Sequence, residues 1–198
     1  MRVVPIACCV GLVAIAGVAV GSREHVAEPP SKPNPFAHGT GVTPQMKSMG
    51  WLAGTWKVQM TYHFPGGKTF EKETESVIEP LLGGAFLQER ISVPAGPNLD
   101  NPMVGIRSFD RFRDTYRVVW LDSVITIADV FEGSATGDGF QVSNLKTNTA
   151  GVFNGSPATM RITQTHQPDH ASFSLKWEVT PDAGKTWLTT ADYAYSRK

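Results

Sequence analysis

The run FDRFRDTYRVVWLDS, residues 109–123, spaces Tyr116, Val118, Trp120 and Asp122 two apart. In an extended chain these two rings and the carboxylate share one face, and Arg117, Val119, Leu121 and Ser123 share the other. A carboxylate turned inward among rings must be paired or kept hydrated. It is then either half of a structural ion pair or the polar end of a ligand site. Candidate partners come from two earlier stretches. In TFEKETESVIE (69–79), Lys72 and Thr74 oppose Glu71, Glu73 and Glu75, while Gln88 and Arg90 share a phase in FLQER (86–90). With the three glutamates turned to water, Lys72, Thr74, Gln88 and Arg90 are expected inside, where Arg90 or Lys72 would meet Asp122. Tyr62 lies in phase with Trp56, Val58, Met60 and Phe64 in TWKVQMTYHF (55–64) and adds a phenol. The candidate ligand-binding set is therefore Trp120, Asp122, Tyr116, Arg90, Lys72 and Tyr62. Its mixture of rings with a few convergent polar groups is that of a small-molecule pocket.

Other chemistry finds less footing. His25 and His38 fall in a proline-rich stretch, and His63 falls on the outer face of its strand. His166 and His170 flank Gln-Pro-Asp, so a hairpin could bring two imidazoles beside Asp169; a polar turn explains the same residues, and no metal site is assigned. No nucleophile elbow, phosphate loop, His-Glu-x-x-His or paired-acid motif is present, so no catalytic residue is assigned. DAGKTW (182–187) reads as a turn in which Asp182 bonds the backbone, Gly184 takes positive φ and Trp187 packs beneath.

The elements that must hold these residues are strands. TWKVQMTYHF alternates apolar and polar, and similar runs follow at about 69–79, 84–94, 102–111, 115–124, 126–133, 138–146, 158–166, 171–180 and 186–196. The breaks between them, such as LGG, PAGPNLDNP, DRFRDT, NTAGVFNGSP and HQPDH, supply turn residues. No long helical period occurs; one short helix is expected at about Gln45–Met49. Ten sequential strands predict an all-β fold, a single antiparallel up-and-down barrel, since closure removes exposed edges. A two-sheet sandwich is the alternative. The outward sets Lys57/Gln59/Thr61 and Glu71/Glu73/Glu75 argue against a lipid-facing barrel.

Residues 1–21 carry Arg2, an apolar run and a small-residue end, the pattern of a secretory signal peptide. Residues 22–44, with Pro29, Pro30, Pro33, Pro35 and Pro44, read as a tether, and 45–198 as the barrel domain. Both cysteines, Cys8 and Cys9, lie in the leader, so the remainder has no thiol for a disulfide or a metal. The leader takes one of the 18 Lys and Arg and none of the 18 Asp and Glu, leaving a single net negative charge. No basic patch points to nucleic acid. RSFDRFRDTYR (107–117) is interrupted by Asp110 and Asp114 and reads as a solvated strand face and hairpin.

Gly54-Thr55-Trp56 at the start of the first strand resembles the Gly-x-Trp signature of calycin-type barrels, the lipocalins and their relatives. The resemblance implies that Trp56 plugs one barrel end and that a basic residue of the last strand, Arg197, packs across it. WLAGTW, LLGGAFLQE, FDRFRDTYRVVWLDS, DAGKTW and the closing Tyr195-x-Arg197 together resemble the bacterial family called domain of unknown function 1579, over residues 45–198. That family implies a lipocalin-like barrel and brings no established reaction. The same Gly54-Thr55-Trp56 start also resembles that of nitrobindin, a haem-binding barrel; here Val58 replaces its second glycine, and TTADYAYSRK lacks its histidine. The expected function is an exported barrel, periplasmic or secreted, that binds a small apolar or amphipathic molecule, with no cofactor and no membrane segment after signal cleavage. The alternatives are a haem protein or small-molecule enzyme using the same cavity, and a structural or interaction domain with a filled barrel.

Overall fold

The structure, a computed structural model, describes residues 41–96, 99–153 and 155–198. The leader and most of the tether, with His25 and His38, lie outside the described residues. The described chain opens on a single helical turn, α1 (Pro44–Ser48), which begins one residue before the expected start. Thr43 Oγ1 accepts the Met46 amide hydrogen at 3.2 Å and Pro44 occupies the first turn, where its missing N–H costs nothing.

Eleven strands follow: β1 (Gly54–His63), β2 (Thr69–Leu81), β3 (Phe86–Gly96), β4 (Leu99–Asp110), β5 (Thr115–Asp122), β6 (Ala128–Thr136), β7 (Gly139–Ser143), β8 (Gly151–Phe153), β9 (Ser156–His166), β10 (Ser172–Thr180) and β11 (Leu188–Arg197). Ten of them form the closed antiparallel barrel expected from the sequence. From β1 through β7 neighbouring strands pair in sequence order, β7 then pairs with β9, β9 with β10 and β10 with β11, and β11 returns to β1. The eleventh, β8, pairs only with the start of β9, inside the segment NTAGVFNGSP expected as a loop. Three residues paired to a neighbour leave no periodicity to read.

Alternation places the core. Trp56, Val58 and Met60 are buried while Lys57 and Gln59 are exposed, and Glu71, Glu73 and Glu75 face water. The expected phase of β3 is corrected: Leu87, Glu89, Ile91 and Val93 point inward, and Arg90 is exposed. Leu82, Gly83 and Gly84 all take positive φ in the turn before β3 and set its register, pairing Ile78 with Glu89. Burying three aliphatic side chains decides which phase wins.

One end of the barrel is plugged. Trp56 is fully buried, its Nε1 donates to the Leu52 carbonyl at 2.8 Å, and Phe173 meets it edge-on at 4.8 Å. The Arg197 guanidinium lies 4.2 Å from the Trp56 ring centre and donates to the carbonyls of Ala53 and Trp51. Gly54 has φ +140°, and a Cβ there would overlap Arg197 Nη1. Glycine is what lets backbone and guanidinium share this space.

Above the plug lies a buried polar layer drawn from five strands. Glu89 accepts from Ser76 at 2.6 Å, from Tyr195 at 2.9 Å and from Arg107 at 2.6 Å, and Arg107 Nε donates to Gln164 at 3.3 Å. Glu89 is 0% exposed and Arg107 1%. This corrects the solvated reading of RSFDRFRDTYR at its first residue. With Glu89 shut off from solvent, its three donors, one of them the Arg107 countercharge, compensate the buried carboxylate.

Candidate functional site

At the end away from Trp56 the interior opens into a cavity of about 210 Å³. Its inner wall is aromatic. Trp120 and Trp177 meet at 5.6 Å between ring centres, with Phe131 edge-on to Trp177 at 6.1 Å. Trp120 fits because its strand partner is Gly105: a Cβ at Gly105 would lie 2.8 Å from the indole. Tyr62 and Tyr193 bond each other through their hydroxyls at 2.9 Å on neighbouring strands. Burial pushes both phenols above their usual value.

Two carboxylates line the cavity. Asp122 ends β5 and organises the following loop, its Oδ1 accepting the amides of Val124 and Ile125 at 2.8 and 2.9 Å, while Oδ2 accepts from Asn101 at 2.7 Å. Asp129, 4% exposed, is the strand partner of Trp120. It accepts from Asn144 at 3.0 Å and from Thr149 at 2.6 Å, and Asn144 in turn accepts the Met160 amide at 2.7 Å. These bonds tie the 144–151 segment to β6 and β9. Gly151 completes the closure, since a Cβ there would lie 2.9 Å from Asp129 Oδ2.

Burial pushes the Asp129 carboxyl up from its ordinary value; the bonds from Thr149, Asn144 and the Val130 amide act the other way and favour the ionised form. With the folded value raised, the contribution of this group to stability is complete below the ordinary carboxylate value of 3.8 and is lost as pH rises through the folded one. Asp129→Asn is therefore expected to gain stability relative to the natural protein between about pH 4 and pH 7. Urea midpoints of both proteins at the two pH values check this. An unchanged difference would mean that Asp129 titrates as it does in the unfolded chain.

Of the six sequence-derived candidates, Trp120, Asp122 and Tyr62 come together at the cavity. Tyr116 lies elsewhere, stacked on Phe140 at 5.2 Å and edge-on to Phe109. Lys72 pairs with Asp100, and Arg90 pairs with Glu79 on the outside at 2.5 Å. Asp122 meets neither. The residues that sequence reasoning passed over are Asp129, Phe131, Trp177 and Tyr193. Asp129 and Phe131 alternate in ADVFEG, a signal of the same kind as the one that marked Trp120 and Asp122.

The remaining histidines are accounted for by packing. His170 stacks on Trp51 at 4.5 Å with His166 beside it at the plugged end, and His63 Nε2 contacts Asp192 Oδ2 at 2.8 Å by the mouth. Among the described residues no group of three or more His, Cys, Asp or Glu is placed to hold a metal. In the DAGKTW turn Asp182 accepts the Thr186 amide and hydroxyl, each at 2.7 Å, bonds that hold its carboxyl below the usual value. Among the described residues no helix is long and apolar enough to cross a membrane.

Residues 43–197 match the sequence profile of a family described as "Protein of unknown function (DUF1579)". A search of the curated proteins finds no match. Among solved structures, that of Rv2717c from M. tuberculosis superimposes with a TM-score of 0.59 at 15% identity, over 80% of this chain and 99% of that one. At that identity the likeness is one of fold. A redesigned β-barrel, b11L5F_LGL, gives a TM-score of 0.41 at 12% identity with the same coverage, 80% and 99%.

Proposed function

Since this chain belongs to the DUF1579 family of proteins of unknown function, we propose a role for it from its cavity: an exported lipocalin-like barrel that binds one small apolar or amphipathic molecule. The observation that carries this reading is the aromatic-walled space beside Trp120. Its volume of about 210 Å³ exceeds the roughly 150 Å³ that suffices for benzene and falls below the roughly 300 Å³ at which drug-sized sites begin. A single ring or a short branched chain with one polar end suits it; a macrocycle such as haem does not. Export is read from residues 1–21, whose charged start, apolar run and small-residue end are those of a cleaved leader.

Ala191 tests the reading. It is buried against Tyr62 and Trp177 and lines the cavity, so Ala191→Leu puts a branched side chain into the space a ligand would take. Native mass spectrometry of protein purified without denaturation is expected to show a retained small mass in the natural protein and none in the variant. Overpacking is expected to cost about 1–3 kcal/mol, read as a urea midpoint. A folded Ala191→Leu that keeps the same mass would place the ligand elsewhere.

A further inference from the structure

The charges around the cavity select among small ligands. The carboxylates of its wall are Asp122 and Asp129, beside the buried phenols of Tyr62 and Tyr193 and with His63 at the rim already against Asp192; Lys and Arg contribute nothing to the lining among the described residues. The other buried carboxylates make a contrast. Glu89 holds Arg107, and Glu178 holds Arg161 at 2.7 Å. Asp129, equally inside, has among the described residues only the neutral donors Asn144 and Thr149 and the Val130 amide. Hydrogen bonds satisfy its oxygens without supplying a countercharge, and a buried charge without one is costly. Beside it across the β5–β6 pair stands the Trp120 indole, with Trp177 in ring contact behind. Indole and phenol faces attract cations, most strongly where water is excluded.

We propose that the ligand of this cavity is a small organic cation, an alkyl- or arylammonium group whose charge sits against the Trp120 and Trp177 rings and completes Asp129. The proposal rests on the small-molecule reading above and narrows it by charge. An anion would meet two carboxylates in the lining, and the guanidinium over the Trp120 ring, Arg107, is already held by Glu89. A neutral hydrocarbon would fill the space and leave Asp129 as it is. A compact ammonium does both tasks: its methyl groups occupy the apolar volume while its charge supplies what Arg107 supplies to Glu89.

Choline and its neutral isostere 3,3-dimethylbutan-1-ol separate the possibilities, because they share a shape and differ by a charge. Each is titrated into the intact protein, following tryptophan emission and binding heat. Choline is expected to bind at least about tenfold more tightly than the alcohol. Asp129→Asn, which keeps the size of the side chain, is expected to lower choline affinity about tenfold and to leave the alcohol unchanged. If the alcohol binds as well as choline, the cation assignment falls and the small-molecule reading stands. If Asp129→Asn weakens both probes alike, Asp129 shapes the cavity and does not pair with charge, which also overturns the assignment. Binding of neither probe at concentrations that fill a millimolar site overturns it as well, and the small-molecule reading is then judged separately on the mass lost by Ala191→Leu.

Discussion

Replacing Arg107 with methionine is expected to lower the unfolding free energy by about 3–5 kcal/mol, because it leaves Glu89 inside the barrel with no countercharge. Ser76 and Tyr195 would still donate to that carboxylate, at 2.6 and 2.9 Å, but both are neutral. The effect is read as a fall in the urea midpoint at unchanged slope. Removing both charges together, in Glu89→Leu with Arg107→Met, is expected to return most of the loss, since well-packed apolar residues replace buried pairs at little cost. The contrast between single and double variants carries the argument. If the single replacement matched the natural protein, the guanidinium would not be what compensates Glu89. Because the Arg107 guanidinium lies 5.9 Å from the Trp120 ring centre, the single variant is also expected to shift the emission of that indole.

Trp56→Ala is expected to cost about 3–5 kcal/mol as well, by a different mechanism. It opens a void at the plugged end, removes the bond from Nε1 to the Leu52 carbonyl, and strips Phe173 and Arg197 of the ring they pack on. Arg197→Met isolates the share of the guanidinium, expected at about 0.5–2 kcal/mol. A double-mutant cycle on Trp56 and Arg197 gives their coupling, and a coupling near zero would reduce the stacked arrangement to coincidence. If Trp56→Ala prevents folding, Trp56→Phe keeps a ring and loses the Leu52 bond, giving a smaller drop in midpoint. Ligand retention is expected to survive in folded variants of this pair, since neither residue lines the mouth cavity.

The two layers differ in how far the sequence alone reveals them. Strong alternation in β1, with Trp56, Val58 and Met60 against Lys57 and Gln59, and the three outward glutamates of β2 make barrel strands legible, and closure follows from the need to pair edges. Phase is harder. Gln88 and Arg90 read as inward when strand β3 is counted from the polar pattern of β2, yet the turn at Leu82–Gly84 resets the count and brings Glu89 inside. A glutamate between Leu87 and Ile91 is itself a sign that something opposite must answer it. That Arg107 does so depends on β3 and β4 being neighbours with Leu87 opposite Arg107, a fact of pairing that local pattern does not contain. The cavity shows the same division. Trp120, Asp122 and Tyr62 share the inward phase of their strands, whereas the surroundings of Asp129 come from Asn144, Thr149 and Gly151, brought in by a loop and a three-residue strand without period.

The pairing of β1 with β11 bears on when the barrel becomes complete. Trp56 sits opposite Arg197, so the first strand made finds one of its two neighbours only when the last has left the ribosome. Arg197 grips the Ala53 carbonyl across 144 positions of chain, and such distant pairings must overcome a large closure entropy before they return any stability. The β1–β11 seam is therefore the part of the barrel expected to close late in folding.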